Sequence, residues 1–76
     1  MIDGTALLAL KNAWNGAVAT ADRVRDLAPQ LSATVDSAEL KAPDLETYHE
    51  VALAHANAAQ ALRGLIEELR RKTATG

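Results

Sequence analysis

The sequence predicts an all-α fold: an antiparallel helical hairpin with a short third helix in its linker, completed to a helical bundle by dimerisation. Three observations carry this expectation. Seventeen of the 76 residues are alanine, the strongest helix former, and none is cysteine. Apolar residues recur at alternating intervals of three and four along two long segments, the period of a helix face. Pro29 and Pro43 stand between those segments, where proline ends one helix and opens the next.

The first helix is expected over residues 4–28. Asp3 offers a capping carboxylate before Gly4 and Thr5. The apolar seam is Leu7, Leu10, Trp14, Ala17, Ala21, Val24 and Ala28. Pro29 lacks an amide hydrogen and disfavours helix at the residue before it, so the helix should stop or kink at Ala28.

Residues 29–42 form the linker. Asp36 with Glu39 has the form of a capping box and predicts a short helix around Asp36 to Lys41. Leu31, Val35 and Leu40 would then cover the end of the bundle. The second helix is expected over residues 43–72, with Pro43 at its first position and Asp44 and Glu46 in its first turn. Its seam is Leu45, Tyr48, Ala52, His55, Ala59, Leu62, Ile66 and Leu69, and residues 73–76 form a frayed tail. Nothing separates the helices as domains, so one domain spans 1–76.

Setting Ala28 opposite Leu45 pairs Ala21 with Ala52, Trp14 with Ala59 and Leu7 with Ile66. Large side chains then face small ones. The expected core is Leu7, Leu10, Trp14, Val24, Leu45, Tyr48, Leu62, Ile66 and Leu69. A second stripe of small residues lies off these seams: Ala9, Ala13 and Gly16 on the first helix, Ala54, Ala58, Ala61 and Leu65 on the second. An apolar surface wider than one seam meets more than one neighbour, so these seven are the expected outer interface. Gly16 costs up to about 1 kcal/mol against alanine inside a helix. That cost points to close approach by another backbone.

Size points to association as well. Only twenty residues are Leu, Ile, Val, Met, Trp or Tyr. A chain this short buries only about 60% of its unfolded surface, and without cysteine it has no disulfide to staple it. A partner chain is the remaining staple.

The sequence holds no recognisable catalytic constellation. His49 and His55 in "HEVALAH" are six apart, and a zinc pair on one helix face needs four. No metal or cofactor is expected; His55 sits on the seam as a hydrogen-bonded core residue. The net charge is −2 with the signs interspersed, which argues against a nucleic-acid binder. Arg70, Arg71 and Lys72 complement the dipole of a helix end. No apolar run is long enough to span a membrane. The start of the chain has no basic region before its apolar run, so a cytoplasmic location is expected.

Trp14-Asn15-Gly16 has the form tryptophan-x-glycine. It resembles the hallmark triplet of small, cysteine-free helical hairpins exported by type VII secretion systems. The resemblance implies a secreted hairpin with Trp14 and Gly16 as its functional residues. In that family the triplet lies in the turn between the helices, whereas here the heptad seam runs through it unbroken. The family's export signal, a tyrosine followed four positions later by an acid, has no counterpart: Ala52 stands four after Tyr48.

The function expected from these features is a non-enzymatic protein–protein interaction module, a small assembly, adaptor or structural subunit acting through helix-face packing. Its partner is a second copy, another helical protein, or both. The alternatives are the secreted hairpin just described, a nucleic-acid-associated regulator, and a phage accessory or structural protein.

Overall fold

The computed structural model describes residues 3–75, which form two helices packed against each other. Helix α1 is Gly4–Ser37 and helix α2 is Ala42–Thr75, each of 34 residues. At 1.5 Å per residue each is about 51 Å long, and the molecule is a rod of 56 × 16 × 15 Å. No strand occurs among the described residues.

Asp3 caps α1 as expected. Its Oδ1 accepts the amide of Ala6 at 2.8 Å, and its carbonyl accepts that of Leu7 at 3.2 Å. The first bond satisfies one of the amides left orphaned at a helix start, and the second is the first bond of the helix ladder.

Pro29 does not end the helix; α1 runs through it to Ser37. A proline inside a helix forfeits the amide bond to the carbonyl four residues back and costs about 3 kcal/mol. Leu31 joins Val24, Leu27, Ala28, Tyr48 and Val51 around one apolar groove between the helices. Thr34 is half-buried and donates its hydroxyl to the Gln30 carbonyl at 2.9 Å.

The expected short third helix is absent, because Asp36 lies in the last turn of α1. The Glu39 amide bonds back to the Thr34 carbonyl and the Ala38 amide to the Val35 carbonyl, at 3.3 and 3.2 Å. This is a Schellman ending, with Ala38 at φ 58° in the left-handed region where glycine is usual. An alanine in that position carries no sequence signal for a helix end.

Four residues, 38–41, connect the helices. The Lys41 carbonyl accepts the amides of Asp44 and Leu45 at 3.1 and 3.2 Å. Pro43 falls in the first turn of α2, where its missing amide has no intrahelical partner to lose. The helix continues past Lys72: the Thr73 hydroxyl lies 3.0 Å from the carbonyls of both Leu69 and Arg70, one of which takes its hydrogen. The expected fraying at residues 73–75 is therefore replaced by helix, and Gly76 lies outside the described residues.

Candidate interaction faces

The line along which the helices meet is marked by a cross-hairpin hydrogen bond between Thr20 Oγ1 and His55 Nδ1 at 3.0 Å. Stepping outward along antiparallel helices sets Ala17 level with Ala58, Ala13 with Leu62, Leu10 with Leu65 and Ala6 with Leu69. In the other direction Val24 is level with Val51 and Leu27 with Tyr48. Burial follows these pairs. Ala6, Leu10, Ala13, Ala17, Thr20 and Leu27 are half-buried on α1; Tyr48, His55, Ala58, Leu62 and Leu65 are half-buried on α2. Val51 and Leu69 are buried, at 8% and 7% exposure, and no side chain among the described residues is enclosed more fully.

His55 thus holds the place on the seam that its spacing implied, bonded to Thr20. The Thr20 hydroxyl also lies 3.0 Å from the Ala17 carbonyl and 3.2 Å from that of Gly16. A hydroxyl has one hydrogen. With that hydrogen on a backbone carbonyl, His55 Nδ1 donates to Thr20.

The contact line corrects the expected core and register. Of the nine core residues, Leu69 is buried, and Leu10, Tyr48, Leu62 and Ile66 are half-buried. Leu7, Trp14, Val24 and Leu45 are exposed, Leu7 and Trp14 each at 54%. The expected outer interface divides as well. Ala13, Ala58 and Leu65 face the other helix of the hairpin, while Ala9, Gly16, Ala54 and Ala61 are exposed. The pairing of Ala28 with Leu45 and Trp14 with Ala59 gives way to the register of Thr20 and His55. Gly16 has no close neighbour: a Cβ added there would meet nothing within 4 Å.

The exposure of Leu7, Trp14 and Leu45 has one geometric cause. On each helix an apolar stripe that includes Leu7, Trp14 and Val35 or Leu45 and Ile66 lies beside the contact line, about 50° from its nearer row and about 75° from its midline. On α1 the displaced residues are Leu7, Trp14, Ala21, Ala28 and Val35. On α2 they are Leu45, Ala52, Ala59 and Ile66. In an antiparallel pair the same rotation on both helices carries both stripes to the same side of the rod. One side is therefore broadly apolar. Its grooves are lined by Val24, Ala28, Leu31 and Tyr48 near the linker, and by Leu10, Ile66, Leu69 and Thr73 at the other end. The opposite side is small and polar, where Thr20, Arg23, Thr47, Glu50 and Ala54 line a groove.

The apolar side is bordered by Lys11 and Arg25 on α1 and by Arg63 and Arg70 on α2. Arg25 pairs with Asp22, and Arg63 with Glu67 at 3.2 Å, each within its own helix. The Tyr48 hydroxyl is buried against this side without a hydrogen-bond partner. Among the described residues no group of His, Cys, Asp or Glu is arranged to hold a metal, and no helix is long and apolar enough to cross a membrane.

Comparison with protein-family models, with curated proteins and with solved structures finds no match.

Proposed function

We propose that the chain is a protein–protein interaction module: a helical hairpin that completes its core by packing a helix face against a partner. The observation that carries this reading is the pairing of an almost coreless hairpin with an apolar side. Among the described residues only Val51 and Leu69 are buried, while Leu7, Trp14, Val24, Leu31 and Leu45 are exposed. Aliphatic and aromatic residues left in water forgo roughly 1.5–3 kcal/mol each relative to full burial. Ordering each backbone residue costs about 1–2 kcal/mol. Two helices meeting along one narrow seam offset little of that cost.

The shape supports the same reading. A compact chain of this length has a radius of gyration of about 11 Å, against 17.2 Å here. A single pair of helices has no second layer to close over its apolar side.

Thermal unfolding of the isolated chain across a wide concentration range tests the proposal. The midpoint is expected to depend on chain concentration, or the chain alone to be weakly helical, because stability drawn from a partner follows mass action. A cooperative, concentration-independent melt of a monomer would contradict it.

A further inference from the structure

Resting on the interaction reading, we infer that the occupant of the apolar side is a second copy of this chain, giving a four-helix bundle of two hairpins. The rotation of the stripes is the first argument. In a square of four helices each helix has two neighbours, in directions about 90° apart. The stripes of α1 and α2 are turned by about 75° from the midline of their mutual contact, both toward the same side, where such second neighbours would stand. That is the geometry of helices built around a four-helix axis. It calls for two further helices, and one more hairpin supplies two.

Area is the second argument. A compact monomer of this 8.0 kDa mass exposes about 4,450 Å². This hairpin exposes 5876 Å², an excess of about 1,400 Å² over that compact value. A standard interface takes about 800 Å² from each partner, and obligate dimers take more. Covering the apolar side with an equal hairpin therefore removes an area of the size a stable homodimer needs.

The border of the side is the third. Two of its four cations, Arg25 and Arg63, are already matched by acids on their own helices. What remains is not a positive belt that selects an anionic partner or a charged lipid surface. The face also carries bulk and space together: Trp14 and Leu7 beside Ala21 and Ala28, Leu45 and Ile66 beside Ala52 and Ala59. A two-fold interface must be complementary to itself, and a face with large residues toward its ends and alanines between them can be.

Sedimentation equilibrium of the full chain and three variants tests the inference. Ala21→Lys and Ala59→Lys put a charge on the apolar side of α1 and α2 with a residue that keeps helix propensity. Ala54→Lys does the same on the opposite side. The parent and Ala54→Lys are expected to have twice the chain mass at tens of micromolar, and the two apolar-side variants the mass of one chain. Whether a freed monomer keeps its helices does not alter that readout.

A parent that is monomeric and weakly helical at every concentration would overturn self-association while leaving the need for another partner intact. A parent that is monomeric, fully helical and cooperative would overturn the interaction reading too. A dimer broken by Ala54→Lys and indifferent to the other two would overturn the choice of face.

Discussion

Thr20 and His55 meet at 3.0 Å across the hairpin, 35 positions apart in the chain, and their pairing marks the register of the layers on either side. Thr20→Val keeps the shape and removes the hydroxyl. It is expected to cost about 1 kcal/mol, the net value of an ordinary hydrogen bond. Thr20→Val and His55→Leu together should cost less than the sum of the two. A double-mutant cycle read by denaturant unfolding checks this; additivity would mean that the bond does not form.

Pro29 is tolerated by α1 but does not help it. Pro29→Ala restores an amide to the helix interior, where proline is about 3 kcal/mol worse than alanine. It also loosens the unfolded chain by up to about 1 kcal/mol. A net gain of about 2 kcal/mol in unfolding free energy is expected, with more helical signal in circular dichroism. A loss would show that a bend at Pro29 is required.

Ala38 holds a left-handed conformation at φ 58°. Ala38→Gly relieves a strain of roughly 1–2 kcal/mol for a residue with a Cβ, against about 0.5–1 kcal/mol of extra unfolded-state entropy. A small stabilisation, of the order of half a kcal/mol, is expected from the shift of the unfolding midpoint. An equal destabilisation would argue for a different ending of α1.

Gly16 and Gly64 both face open space. Gly16→Ala and Gly64→Ala are each expected to stabilise the fold by about 0.5–1 kcal/mol, the helix-interior difference between the two residues, without changing the mass of the assembly. A Gly16→Ala variant that lost assembly would show that a partner's backbone lies against that side.

Much of this molecule is legible in its sequence. The Asp3 cap, the all-helical content, the hairpin and the place of His55 on the seam follow from local chemistry and period. What spacing alone leaves open is rotation. Residues at intervals of three and four define a stripe, and a stripe two positions wide fits Leu7 with Leu10 as well as Ala6 with Leu10. The larger residue of each such pair is the natural choice for a core. In this hairpin the smaller one, Ala6 or Ala13, lies at the contact, and the larger one, Leu7 or Trp14, is left on the open side. The end of α1 was hidden for a different reason. Helix ends are read from proline and glycine, and here the helix passes through a proline and stops at an alanine.

The claim that the open side is where a partner sits is tested most directly by Trp14, the single tryptophan of the chain and 54% exposed in the hairpin. Its fluorescence can be followed by emission wavelength and acrylamide quenching over a dilution series, with mass measured in parallel. The account predicts blue-shifted, protected emission at high concentration that turns red-shifted and quenchable over the range in which the mass halves. Emission that stays exposed while the mass doubles would place the partner on another face.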